Sequence, residues 1–362
     1  MNGTRAWTAT VDDAPAALAV TTPAGPDDPA VAVVGADGLV VLLTSTGRVL
    51  ATATAHGGAL TAAWSPDGTV LAVGGPEGAY RWNRAEGLAP LRAGGWCQAL
   101  AWAPDGQLAV ADDRTTAVFD TRSLLAPASS GWVERSWATP EVRSTVTALS
   151  WLRGGREIAV ASYGGVSAFS RTRLARELPY AGSLLDIAVS GDGRWLVSGN
   201  QDASVHVWRL RDGSELEMDG YPRKVTRVAF DATGRWLAAD GAPGITVWSF
   251  AGGGPGGTSA RMLSAHPDGA TAVAWHPRRP VLATAGADGT VALWDVEGVA
   301  PGRPAPPDRS VVVSAPGGQP DPVTALAWLT DDVLVAATRP AGEGPGRCVG
   351  QQIGWGIISG RP

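Results

Sequence analysis

Few side chains in this sequence could do acid–base, nucleophilic or metal chemistry. Among 362 residues there are four histidines, His56, His206, His266 and His276, and two cysteines, Cys97 and Cys348. The cysteines form no CxxC pair and no metal-ligand spacing. They could make one disulfide, but nothing in the sequence requires it. No GxxxxGK[ST], GxSxG or HExxH pattern occurs. Gly252–Gly257, "GGGPGG", lacks the lysine of a phosphate loop and reads as a flexible strand connection. "GADG" at Gly35 and again at Gly286 opens like a calcium loop but lacks the downstream ligands, so it reads as a hairpin turn. No catalytic residue, metal ligand or cofactor is expected.

One ordered polar pattern remains. His266 lies nine residues before Trp275, Thr284 closes the next apolar run, and Asp288 lies six residues before Trp294. A buried indole N–H needs an acceptor. A hydroxyl both donates and accepts, and an imidazole can pass the chain of bonds on to a carboxylate. Each such bond is worth about 1 kcal/mol net, and leaving one unmade costs more. The pattern therefore reads as structural.

Short strands must position these groups. Ala270–Trp275, Val281–Thr284 and Thr290–Trp294 are apolar or alternating runs separated by His-Pro and Ala-Asp-Gly turns, which makes a meander. The first strand of this unit ends at Trp275 and has counterparts ending at Val20, Trp64, Trp102, Trp151, Val189, Phe230 and Trp328. Their spacings are 44, 38, 49, 38, 41, 45 and 53, which bracket a 40–45-residue repeat. Each repeat continues with a second strand such as "RWLVSGN" and a third such as "SVHVW". No helical stripe is expected.

The stretch Ser264–Asp295 resembles a WD40 repeat, and the similarity extends over essentially the whole chain. The resemblance implies an all-β fold: a β-propeller of four-stranded antiparallel blades spanning residues 1–362 as a single domain. Eight first-strand positions predict eight blades, with seven as the alternative. The N-terminal "TRAWTATV" is expected to supply the outer strand of the last blade and close the ring. In that blade "QQIGWGIIS" is the expected third strand, preceded by a loop insertion from Pro340 to Gly350. The resemblance also implies a hydrogen-bonded structural tetrad of His266, Thr284, Asp288 and Trp294. Ser198, Asp202 and Trp208 hold the corresponding places in the fifth repeat, with Tyr180 where the histidine belongs. The third repeat keeps Asp113 and has Phe119 for the tryptophan. The first keeps Asp37. The second has His56 one residue short of the spacing, without the aspartate.

The implied function is protein–protein interaction by a non-catalytic scaffold, on the end of the ring that carries the second-to-third and fourth-to-first strand loops. Candidate partner-binding residues there are Glu77, Trp96, Arg114, Tyr163, Tyr180, Gln201, Arg223 and Asp268, with Ser144 and Tyr221 beside them. Trp, Tyr and Arg dominate interface hot spots. The competing class is a propeller enzyme or small-ligand binder with its site at the central channel. A net charge of −5 and a pI near 5.4 argue against nucleic acid. The basic clusters Arg171/Arg173/Arg176 and Arg223/Lys224/Arg227 read as solvated strand edges and turns. No apolar run approaches 18 residues, and the N-terminus lacks a basic start followed by an apolar core. A cytoplasmic monomer with a protein or peptide partner, and no membrane association, is the expectation. A single lysine, Lys224, among 29 basic residues, together with 48 glycines and 27 prolines, suggests GC-rich bacterial coding.

Overall fold

A computed structural model describes residues 5–91, 94–128, 131–242, 244–313, 320–339 and 345–353. All eight first-strand positions lie on strands, and those strands neighbour one another in sequence order around a ring, the sixth and seventh meeting through the Trp275 indole and the Ala229 carbonyl. The strand Pro15–Val20 of the first repeat also contacts Val323–Trp328 of the last, so the ring is closed. Second strands such as Val70–Gly75, Trp195–Asn200 and Val281–Gly286 are buried along their whole length. That is why they read as continuous apolar runs, not as alternation.

The sheet count corrects the expected eight blades. Among the described residues the strands form seven hydrogen-bonded sheets, the alternative number. One sheet has six strands, because the strand Arg173–Val189 runs unbroken through two ladders. Its first part pairs with Glu157–Ser170, as far as Ser183 opposite Tyr163. From Leu184 onward it pairs with Trp195–Asn200. The fourth and fifth repeats thus share one sheet, where a loop was expected to separate them. Glu157–Ser170 is itself bent at Gly164 and Gly165, whose φ values of +95° and +130° suit glycine and little else.

The expected closure is present. Arg5–Val11 pairs antiparallel with Gly346–Gln352, which pairs in turn with Val333–Thr338. Val11 and Ala9 are buried in the core between the last repeat and the first. The third strand of the last repeat begins at Gly346, inside the expected insertion, and not at "QQIGWGIIS". Residue 4, residues 340–344 and residues 354–362 of these expected features lie outside the described residues.

The core lies between successive repeats. Between the sixth and seventh, Trp236, Ile245, Val247 and Leu263 pack on Leu282, Trp294, Val296 and Val299. The repeats that share a sheet also pack face to face, through Ala159, Val166 and Leu178 against Leu184, Leu196 and Trp208. Two outer edges are covered by the chain of the following repeat. Pro304–Ala305 adds a parallel strand to Arg261–Leu263, and Val133 bridges to Leu91. Both contacts satisfy backbone groups that an open edge would expose. Contrary to the sequence expectation, there is a helix, Thr121–Leu125, capped by Asp120, whose carboxylate accepts from Ser123 N at 2.7 Å. Five residues are too few to leave a periodic stripe.

Candidate interaction face

In the seventh repeat His266 is buried. Its Nε2 lies 2.8 Å from Thr284 Oγ1, and its Nδ1 lies 3.4 Å from Asp288 Oδ1. Burial pulls the imidazole below its usual pKa, with Asp288 opposing. The chain of bonds stops at Thr284: the Trp294 indole N–H is buried without an acceptor among the described residues. Thr284 stands opposite Ala292 and Trp294 opposite Leu282, so threonine and tryptophan are diagonal neighbours.

In the fifth repeat Tyr180 takes the histidine's role. Its hydroxyl donates to Asp202 Oδ2 at 2.5 Å and lies 2.9 Å from Ser204 Oγ. Burial, then the Asp202 carboxylate, pushes its pKa up to about 12. Ser198 donates to Asn200 Oδ1 at 2.8 Å, and Asn200 Nδ2 donates to Ser204 at 3.0 Å. Trp208 is fully buried with its N–H unmatched among the described residues, and His206 is packed over it at 4.4 Å. The sequence reading missed Asn200, Ser204 and His206, and it missed a similar set in the sixth repeat. There Trp248 Nε1 donates to the Tyr221 hydroxyl at 3.0 Å, which lies 2.9 Å from Thr246 Oγ1. The available signal was position: Tyr180 and Tyr221 both stand nine residues before the end of their first strand, as His266 does.

His56 is exposed, whereas His276 and both cysteines are buried. His276 Nδ1 accepts from Arg278 N and Arg279 N at 3.0 Å each, which leaves Nε2–H to donate to Asp331 O at 3.0 Å. Cys97 and Cys348 are free thiols, fully buried in different core layers. Burial pushes the Cys97 pKa up to about 12 and that of Cys348 higher still.

Adjacent strands are antiparallel, so second-to-third and fourth-to-first strand loops emerge at one end of the ring. Trp96 is there, 40% exposed, its Nε1 donating to Gln98 Oε1 at 3.2 Å. Tyr163 is 58% exposed. The loops under both are pinned: Gly95 N and Trp96 N donate to Asp112 and Asp113 at 2.8 and 3.0 Å, and Tyr163 N donates to Ser144 Oγ at 3.0 Å. Arg223 and Asp268 meet across two repeats, Arg223 Nη1 donating to Asp268 O at 3.2 Å. Gln201 is exposed. Arg114 is tied to Val142 O at 3.1 Å and to Glu141 at 3.3 Å. Tyr180 is committed to Asp202. Tyr221 is buried. Glu77 borders a groove of about 300 Å³ together with His56, Tyr80 and Trp132. Trp132 was not foreseen, because its place after a third strand assigns it to the other end. The run to Val133 instead crosses the outer edge of the second repeat.

The inner strands carry a further polar group unseen in the sequence. Asp186 accepts from Ile187 N and Val228 N at 2.9 Å each, and Asp240 accepts from Thr226 N and Arg227 N at 2.7 and 3.1 Å. Burial pushes the Asp186 pKa up to about 7, with Asp240 adding and Arg227 opposing. These carboxylates are spent on backbone N–H groups of the ring. Among the described residues no group of three or more His, Cys, Asp or Glu could hold a metal ion, and no helix is long and apolar enough to cross a membrane.

The model of the WD domain, G-beta repeat, matches residues 176–209 and 257–295. Actin-interacting protein 1 of Caenorhabditis elegans is 25% identical over 62% of this chain and 36% of its own length. Centriole proteome protein 16 of Chlamydomonas reinhardtii is 35% identical over 39% of this chain and 7% of its own. Human angio-associated migratory cell protein is 32% identical over 28% of this chain and 22% of its own. The chain therefore spans a minor part of each relative. All three are eukaryotic and lend no support to a bacterial origin. The crystal structure of the computationally designed Ika8 protein superimposes with a TM-score of 0.71 over 95% of this chain and 98% of that one, at 19% identity, a likeness of fold. The matched repeats and the closed ring of antiparallel sheets agree: the chain carries WD40 repeats on a β-propeller.

Proposed function

We propose that this propeller is a non-catalytic scaffold that captures a protein or peptide partner on the end of the ring bearing Trp96 and Tyr163. The observation that carries the reading is the pairing of exposure with rigidity. Both aromatic side chains reach solvent, while their backbones are fixed by Asp112, Asp113 and Ser144. Rigid aromatic groups bury area on binding with little ordering cost. Gln201, Arg223, Asp268 and Glu77 would form the polar rim. In this reading the chain acts as a cytoplasmic monomer, without nucleic acid or membrane. The net charge of −5 supports the exclusion of nucleic acid.

The test is affinity capture from native extract with the wild-type chain and with Trp96→Ala/Tyr163→Ala, circular dichroism confirming the fold of both. Co-sedimentation with filamentous actin is one arm, since one relative is named for an interaction with actin. Loss of capture by about tenfold or more in the double variant is expected, equivalent to about 1.4 kcal/mol. Capture indifferent to that change but abolished by changes around Pro66 or Pro104, on the opposite end, would overturn the reading.

A further inference from the structure

We propose that a second binding site lies on the opposite end of the ring, in the groove between the fourth and fifth repeats, and that it takes an acidic peptide segment of a partner protein. The groove encloses about 520 Å³. Four arginines border it: Arg153 and Arg176 from the fourth repeat, and Arg194 and Arg211 from the fifth. Two carboxylates, Glu157 and Asp192, lie among them, so the lining carries a net charge of +2 in a chain whose net charge is −5. Local excess of the opposite sign to the whole molecule steers anionic groups to that spot.

The arginines are held but not saturated. Arg153 Nη1 lies 3.4 Å from Glu157, Arg194 Nε donates to Asp192 at 2.5 Å, and Arg211 Nη2 lies 3.3 Å from Asp212. Arg176 Nη1 donates to the carbonyl of Leu210. Each guanidinium has five N–H donors in a fixed fork, so donors remain for carboxylates. The side chains of Arg153, Arg194 and Arg211 are 65%, 47% and 76% exposed. Arg153 has φ of +51°, a backbone conformation that arginine seldom adopts.

Leu152, Val189 and Leu210 also line the groove. An apolar component between cationic groups fits a peptide that carries an aliphatic side chain between carboxylates. A polynucleotide fits less well, because the acidic remainder of the surface repels an extended polyanion.

The experiment measures fluorescence anisotropy of a labelled Asp-Glu-Leu-Asp-Glu peptide against the full chain. The amide counterpart Asn-Gln-Leu-Asn-Gln and a short single-stranded oligonucleotide serve as alternative probes. Saturable binding of the acidic peptide is expected, weakening as salt rises. Arg194→Gln/Arg211→Gln, both exposed changes, should weaken it tenfold or more, and Arg153→Gln should weaken it independently. Trp96→Ala/Tyr163→Ala should leave it unchanged, which separates this site from the interaction face. Equal binding of the amide peptide, indifference to the arginine changes, or tighter binding of the oligonucleotide would overturn the proposal.

Discussion

Trp275 Nε1 donates to Ala229 O at 2.9 Å, joining the inner strand of the seventh repeat to that of the sixth. The relationship recurs: Trp102 donates to Ala63 O, Trp151 to Ala101 O and Trp328 to Ala274 O, at 3.0, 3.0 and 3.1 Å. In each case the acceptor is the residue just before the end of the preceding first strand. The indole thus fills the space between two inner strands and spends its donor on a carbonyl that faces the ring. Trp64 breaks the series, its N–H buried without an acceptor among the described residues.

Trp275→Phe keeps most of the packing and leaves the Ala229 carbonyl without its donor. It should destabilise by about 1–2 kcal/mol. Trp64→Phe removes no such bond and should cost less, which makes it the control. Parallel thermal melts decide the matter. Equal losses at the two positions would show that the recurrent bond contributes nothing beyond ring packing.

Removing residues 1–12 deletes Arg5–Val11, the partner of Gly346–Gln352, and the Trp7 indole bond to Ser45 O at 3.0 Å. It also uncovers core around Val31 and Val335. A fall in melting temperature of several degrees, with concentration-dependent aggregation through the freed edge, is expected. A monodisperse variant with an unchanged melting curve would contradict this.

The ring was legible because its inner strands are written in a form that survives divergence: an alternating run closed by Trp275, Trp328 or a smaller apolar residue, then a Gly/Asp turn. The seven-sheet count was not legible. Whether Pro179–Ser183 forms a loop or a continuous strand depends on pairing with Tyr163, twenty residues away across the sheet. The candidate face was legible in part. Loop position assigned Trp96, Tyr163, Arg223 and Asp268 to one end of the ring, where the structure has them. Asn200, Ser204, Asp186 and Asp240 are defined by register and by neighbouring repeats, and local spacing carries neither.

Stability should depend on pH through one carboxylate and two imidazoles of opposed effect. Asp186 has a folded pKa of about 7 against an ordinary value of 3.8, so its contribution is present below about pH 4 and is lost as pH rises through 7. His266 and His276 are depressed below 6.5 by burial, so theirs is present above that value and is lost on acidification. The advantage of Asp186→Asn over wild type should therefore grow from pH 5 to pH 8 and then level. His266→Asn should flatten the acid limb. Urea unfolding across this range reads both; a pH-independent offset for Asp186→Asn would show that the carboxylate is ionised throughout.

The exchange of histidine for tyrosine in the fifth repeat gives the sharpest test of the polar sets. Tyr180→Phe keeps the ring contacts with His206 and Trp208 at 5.1 and 6.5 Å but deletes the hydroxyl that meets Asp202 and Ser204. Asp202 stays partnered by Ser204 at 2.8 Å, so the loss should be moderate, about 1–2 kcal/mol. Tyr180→His should recover part of it, because in the seventh repeat an imidazole at this place reaches both the carboxylate and the second-strand hydroxyl. Recovery should be incomplete: Ser198, the counterpart of Thr284, already donates to Asn200, and the shorter imidazole must compete with Ser204 for Asp202. Adding Asn200→Ala deletes two buried bonds but frees Ser198, so it should cost Tyr180→His less than it costs wild type, a coupling read from a double-mutant cycle in thermal melts. Strict additivity of the two changes would show that the fifth repeat cannot rebuild the seventh repeat's bonding.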